Sequence, residues 1–406
     1  MFKNYRKSVF ILFLLFCVAS AGGCAGSSSG SSESEAEADI DEDSGTSETA
    51  EAEQLIYECA GQAAQVCSDI VSDGTFSSDA DRPGIMQKLL DCLASAGYCA
   101  ADTDNGFNMT NYEQMDQFCS MAAQGETAEA DLVLLMGTDG FIYYHFSSED
   151  GEMDIERCTF YWAAGEPGYY EPFRAERWEY TEKGYFFFDQ HRMPGYDGPP
   201  GEIGIRVKPL DENCLRFNEK YVRPVGYSRN NMLISNWSEA DDFGSLNFYD
   251  LFDLLYNAKY GENVPYLHEF TGAEYEIPAA EFEDVLTSYL NISTSLIRSR
   301  TAYLPDTDSY LYHPRGLNDA EYPYGPYSEV TAWEELGNGT LKLTVDAVWV
   351  TEFSDQAVTS ELTVRPLSDG SFQYVSNQVT YLQDGVGGIW YSPRLTEEEW
   401  RTAYGQ

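Results

Sequence analysis

The chain has 406 residues and carries 24 Lys and Arg against 68 Asp and Glu, a formal net charge of −44 at pH 7. A surface this negative repels nucleic-acid phosphates and anionic headgroups, which excludes nucleic-acid binding and favours solubility. With 43% hydrophobic and 15% aromatic residues the chain can bury a sizeable core, and its length suggests two domains.

Lys3, Arg6 and Lys7 precede an apolar run from Val9 to Ala19, after which Ala21, Gly22 and Gly23 lead into Cys24. A spanning helix needs roughly 20 apolar residues, so this run is too short and reads as the apolar region of a signal peptide. The order resembles a bacterial lipoprotein signal. It implies that 1–23 is removed, that Cys24 is lipidated, and that the product sits on the outer face of the cytoplasmic membrane. Ala21 stands where Leu is commonest in such signals, and ordinary cleavage is the competing reading. Residues 25–53 hold ten acidic and no basic residues, with Ile40 the only large apolar one. Residues 24–53 are therefore expected to be a disordered, charge-extended tether.

From 54 to 124 the pattern is helical. Leu55, Cys59, Ala63, Val66 and Ile70 form one apolar stripe, a second helix fits 84–96, and a third starts at Thr110 with Glu113 completing a capping box. Strands follow from 130: Leu132–Met136 and Phe141–Phe146 around Thr138-Asp139-Gly140, then 154–162, 174–181, 184–189 and 203–207, then a short helix at 211–221. The turn-rich stretch 236–245 suggests a boundary. Beyond it lie amphipathic helices at Leu246–Asn257 and Ala279–Leu290. Strands are expected at 301–304, 309–312, 328–335, 340–350, 358–366 and 371–381, and a helix capped at Thr396. The expected fold is α+β: an N-terminal helical segment and antiparallel sheet in 54–240, then a second helix-plus-curved-sheet domain of NTF2-like kind in 241–406.

Thr181-Glu-Lys-Gly-Tyr-Phe-Phe-Phe188, Met193-Pro-Gly-Tyr-Asp-Gly198, Ile205-Arg-Val-Lys-Pro-Leu210 and Gly226-Tyr-Ser-Arg-Asn-Asn-Met232 resemble a family of clostridial surface lipoproteins carrying a domain of unknown function. So do Arg365–Asn377 and Leu395–Trp400. The resemblance covers most of 100–404. It implies a Gram-positive anaerobe and a cell-surface location, and brings neither activity nor site residues.

Cys59, Cys67, Cys92, Cys99, Cys119, Cys158 and Cys214 follow Cys24. An exported compartment permits disulfides, and one or two are expected in the N-terminal segment, with connectivity open. The candidate metal site is Asp102, Asp104, Asn108 and Glu113, at positions 1, 3, 7 and 12 of a calcium-loop spacing. Gly106 and Phe107 at positions 5 and 6 depart from that pattern. The competing reading is a solvated Asx turn leading into a helix cap. Four scattered histidines (His145, His191, His268, His313) form no zinc motif, and no nucleophile elbow, phosphate loop or dinucleotide fingerprint occurs.

No catalytic residue and no cofactor other than calcium is indicated. The expected function is a lipid-anchored module binding an envelope ligand or protein, touching the membrane through its anchor only. The alternative is a carboxylate-dependent cell-surface glycoside or wall hydrolase, which needs a paired acid in a cleft. If Cys24 carries the anchor, Cys24→Ala will abolish incorporation of labelled fatty acid and move the protein from the detergent to the aqueous phase on partitioning. Unchanged labelling would overturn the assignment.

Overall fold

The computed structural model describes residues 43–72, 82–190, 192–193, 195–196, 198–266, 272–320, 322–386 and 390–405. The expected signal peptide, 1–23, and Cys24 lie outside these residues. Helix α1 (Asp43–Ser72) starts well before residue 54, so 43–53 are helical where the composition predicts a disordered tether. The Ala- and Glu-rich stretch from Thr46 to Glu53 is a good helix former, and acids suit a helix N-terminus. No helix among the described residues is long and apolar enough to cross a membrane.

After α1 come α2 (Arg82–Ser95), the short β1 (Ala100–Asp102), α3 (Glu113–Ala123), β2 (Ala128–Leu135), β3 (Gly140–Glu149), β4 (Glu152–Tyr161) and β5 (Pro167–Arg174). The first sheet runs β1-β2-β3-β4-β5, with β1 parallel to β2 and the rest antiparallel. The inner half of β2 is buried without alternation because both faces of the sheet are covered. Val133 and Leu135 face α1 and α2, whereas Leu132 and Leu134 face α3. The expected capping box does not form: Tyr112 precedes α3 without a side-chain cap. Thr110 instead pairs with Ala100 at the edge of β1.

A second sheet, β6 (Trp178–Tyr180), β7 (Tyr185–Asp189) and β8 (Glu202–Arg206), packs on the α3 side. Of the expected strand 174–181 only Trp178–Tyr180 is a strand of this sheet; Arg174 is the last residue of β5, a strand the sequence pattern misses. Strand β7 is central, and its residues Tyr185–Phe188 are wholly buried. Phe186 and Phe188 pack on Phe118 and Phe146, while Tyr185 and Phe187 point the other way onto Val348 and Phe353. Gly204 on β8 admits no side chain, since a Cβ there would lie 2.7 Å from the Phe187 ring.

Helix α4 (Glu212–Phe217), capped by Asp211, runs into a π-helical turn at Asn218–Val222. There follow β9 (Trp237–Ser238), α5 (Phe248–Tyr260), β10 (Tyr275–Pro278), α6 (Ala279–Tyr289), α7 (Thr294–Ser299), β11 (Tyr303–Leu304) and β12 (Ser309–Tyr312). The chain ends with β13 (Tyr327–Glu335), β14 (Leu341–Val348), β15 (Val358–Pro366), β16 (Phe372–Leu382) and α8 (Glu397–Tyr404). The expected boundary stretch supplies β9, which pairs with β16. Helix α8 does carry the Thr396–Glu399 capping box.

The NTF2-like expectation is corrected. The C-terminal strands divide between a sheet ordered β10-β12-β11 and one ordered β13-β14-β15-β16-β9, and no sheet is closed or strongly curled. The larger sheet is sandwiched: Leu343, Val345, Leu362 and Val364 face the α5–α6 core, and Tyr327 and Val348 face β7. The α+β class stands. Thr49–Gln406 form one compact unit.

Two acids face β7 on this seam. Glu329 and Asp346 sit directly opposite each other on β13 and β14 and are both buried. Arg206 on β8 donates to Glu329 Oε2 at 2.7 Å, and the Tyr185 hydroxyl to Oε1 at 2.7 Å. Lys183, in the β6–β7 turn, lies 2.7 Å from Asp346 Oδ2, and Thr359 donates to Oδ1. A second buried charge cluster pins the C-terminal segment: Asp250 accepts from Arg315, Tyr391 and Arg394, and Arg394 also meets Asp253.

No S–S bond is formed in this structure: all seven cysteines from Cys59 to Cys214 stand as thiols, five of them buried. They pack as small apolar side chains.

Breaking a buried ion pair from one side strands the other charge. Arg206→Met should therefore cost about 3–5 kcal/mol, and the double variant Arg206→Met/Glu329→Leu should recover most of it. Urea unfolding of the three proteins checks both.

Candidate functional site

The segment Asp102–Asn108 does not converge on a cation. Buried Asp102 accepts from the backbone N–H of Gly106 and Phe107, both at 3.0 Å. Its burial raises the carboxyl pKa, and these two N–H groups oppose the rise. Asn108 donates its amide to the Leu210 carbonyl at 2.9 Å and accepts from the Leu210 N–H at 2.8 Å. Asp104 is exposed and Glu113 begins α3. Among the described residues no group of three or more His, Cys, Asp or Glu side chains is placed to hold a metal ion. The side chains of Asp102 and Asn108 are spent on backbone groups instead of turning together onto an ion, and Asp102 reaches N–H groups four and five residues on, not the two-residue contact of a solvated Asx turn.

What the segment does is brace a wall. Asn105, with φ +48°, donates to the Gly204 carbonyl at 3.2 Å and to the Tyr327 hydroxyl at 3.0 Å. Its Oδ1 accepts from the Arg206 N–H at 2.8 Å. Asn105 and Asn108 thus behave as extra strand residues, tying this loop to β8 and the residues after it.

Between that loop, the π-helical turn and the start of β13 lies a groove with two lobes. The first encloses ≈ 450 Å³, with Asn105, Asn218, Tyr227, Tyr327 and Glu329 in its lining. The second, ≈ 520 Å³, is walled by Pro83, Met86, Phe107 and Leu215, with Arg82 and Arg216 also lining it. The lobes share Asp104, Glu219 and Arg223, and Arg223 is bridged to Glu219 at 2.7 Å. The π turn, closed by Arg223 N–H on the Asn218 carbonyl at 2.9 Å, is an insertion of the type that recurs at functional sites.

Two polar atoms of the first lobe's lining residues are buried with no hydrogen-bond partner: Asn218 Oδ1 and the Tyr227 hydroxyl. Asn218 Nδ2 is used, donating to the Ser328 carbonyl at 3.0 Å. The Tyr227 ring packs edge-on against Trp390. Burial raises the Tyr227 pKa, with Asp346 adding to it, so the hydroxyl keeps its proton at neutral pH. Burial likewise lifts the Glu329 carboxyl above the usual carboxylate range, against the pull of Arg206 and Tyr185.

The sequence singles out the bracing loop for the wrong chemistry and misses the lining. Asn218, Tyr227 and Glu329 carry no shared spacing, and only the fold brings them together. A family model matches residues 52–394, its family being one of unknown function. No curated protein and no solved structure matches the chain.

Glu329 holds its proton more tightly folded than unfolded. Its contribution is therefore most favourable at low pH and is lost as pH rises from about 4.3, the ordinary value, through the raised one. Glu329→Gln should flatten that portion of a stability profile measured by urea midpoints between about pH 4 and 8, whatever its constant offset.

Proposed function

The chain belongs to that family, DUF6070, which assigns no activity, and we propose from the groove that it is a surface lipoprotein module binding a small, neutral, hydroxyl-bearing ligand. The observation that carries this is the pair of unsatisfied polar atoms on the groove residues Asn218 and Tyr227. Buried polar groups are normally satisfied. An adjacent ligand with a hydroxyl donor for Asn218 Oδ1 and an acceptor for the Tyr227 hydroxyl would complete them. A chain of net charge −44 disfavours multiply charged anions, and the Pro224, Pro326 and Tyr327 walls offer apolar surface to a sugar ring. Anchoring through Cys24, on the outer face of the cytoplasmic membrane of a Gram-positive cell, would place the groove where wall and external glycans are met.

Hydrolysis is less well supported. Glu329 and Asp346 resemble a catalytic acid pair only in standing opposite each other on neighbouring strands. Both oxygens of each are occupied, by Tyr185 and Arg206 in one case and by Thr359, Lys183 and Thr331 in the other. A general acid needs a proton it can deliver to substrate, and these carboxylates are turned to the protein.

Titration calorimetry with a panel of neutral mono- and disaccharides, with sugar phosphates as the anionic control, tests the proposal. A neutral sugar should bind saturably. Tyr227→Phe, which removes a hydroxyl with no protein partner, should leave stability unchanged or raised and weaken binding about tenfold, the worth of one hydrogen bond. Saturable binding of none of the panel, or affinity indifferent to Tyr227→Phe and Asn218→Ala, rejects it.

A further inference from the structure

Six of the seven described cysteines fall into three neighbouring pairs. Cys92 on α2 points its sulfur at the Val66 carbonyl on α1, 3.2 Å away, and that carbonyl belongs to the peptide bond leading into Cys67. Cys99, just before β1, lies beside the Met115 backbone on α3. Cys119 lies one turn further along α3, and both sit in the same core. Cys59 on α1 lies beside Tyr143, whose direct cross-strand partner is Cys158, and Cys59 packs on the core that contains Cys158. In each pair the two sulfurs interact electrostatically. Cys214 on α4 has Asp211, Glu329 and Arg206 as its charged neighbours and no cysteine.

We propose that Cys59–Cys158, Cys67–Cys92 and Cys99–Cys119 are disulfide sites, oxidised in the exported protein, and that Cys214 stays a thiol. The pairing uses each of the six once and accounts for the odd total. The three links would join α1 to β4, α1 to α2, and the residue before β1 to α3, so each ties an N-terminal helix to its neighbour. A link between distant residues restricts the unfolded chain. The oxidising compartment is the one clause that rests on the export reading above.

Each site forms one S–S bond and breaks two S–H bonds. The two electrons and two protons pass by thiol–disulfide exchange to an oxidised dithiol oxidoreductase, whose own disulfide becomes a dithiol. Exchange requires a thiolate. In the finished fold burial pushes the Cys67, Cys99 and Cys158 thiols up to about 12, so oxidation belongs to the folding chain and is slow once the core has closed.

The test is a non-reducing peptide map of the full chain, recovered from the envelope fraction with iodoacetamide present at lysis and alkylated again after denaturation. The expected result is three cross-linked peptides in the stated pairing, a body lighter by six hydrogens than its reduced form, and alkylation of Cys214. Alkylation of the other six in envelope-fraction protein, or a different pairing there, overturns the proposal while leaving export intact. Recovery in the cytosolic fraction instead rejects export. The pairing is then decided by refolding the full chain carrying Cys17→Ser and Cys24→Ser in a glutathione redox buffer. Predominance of the three pairs upholds the sites, and scrambled or unformed disulfides reject them.

Discussion

The structure turns on three buried charges, Arg206, Glu329 and Asp346, and the half-buried Lys183, where the second sheet meets the β13–β16 sheet. Glu329 and Asp346 stand opposite each other on neighbouring strands, an arrangement that is unfavourable for like charges and costly for any charge away from water. It persists because Arg206 and Lys183 reach across from the β7 sheet, one to each acid, with hydroxyls on the remaining oxygens. The cations come from one layer and the anions from the other, so neither layer is satisfied alone. The seam consequently has a fixed register, and the chain from Thr49 onward is one compact unit although its cores are several.

Strand β7 is the hinge of that arrangement in a packing sense. Its four consecutive large aromatics are fully buried, two serving the α3 core and two the seam. A strand covered on both faces reads as a continuous apolar run, and Tyr185-Phe-Phe-Phe188 has this character. Gly204 beside it completes the fit by leaving room for the Phe187 ring.

The groove follows from the same seam. Arg206 is oriented toward Glu329 on one side, and its backbone N–H is held by Asn105 on the other. The loop that braces the groove and the acid that lines it are therefore connected through one residue. The π turn then sets Asn218, Glu219 and Arg223 along the facing wall. Its wider winding carries the 5-residue closure at Arg223 and leaves the Asn218 carboxamide oxygen unpaired.

Much of the fold is legible along the chain. Strand 358–366 has the bounds its pattern predicts, and α5, α6 and the capped α8 lie close to where periodicity and capping chemistry put them. These are local properties, set by side chains three, four or two residues apart. The errors arise where local pattern is silent. Strand β5, Pro167–Arg174, contains Pro167, Gly168 and Pro172, which disguise it as a loop, and the expected strand 174–181 therefore starts at its last residue. The cluster of acids and amides at 102–113 has a ligand-like spacing, yet Asp102 is spent on its own loop and Asn108 on the backbone of Leu210, about a hundred residues away. A run of strands suggests one curved sheet, whereas the C-terminal strands divide between two.

By itself the sequence determined the α+β class, the positions of most elements, the strong negative charge and the lipoprotein-like N-terminus that underlies the expected anchor. Tertiary structure alone decided which strands share a sheet, which acids are buried together, which cysteines are neighbours and where the groove lies. The physical reason is one of range. Helical stripes, turns and caps are written in near neighbours, but the pairing of Glu329 with Arg206, or the meeting of Asn218 with Tyr227 and Asn105, exists only after distant segments have been packed against each other.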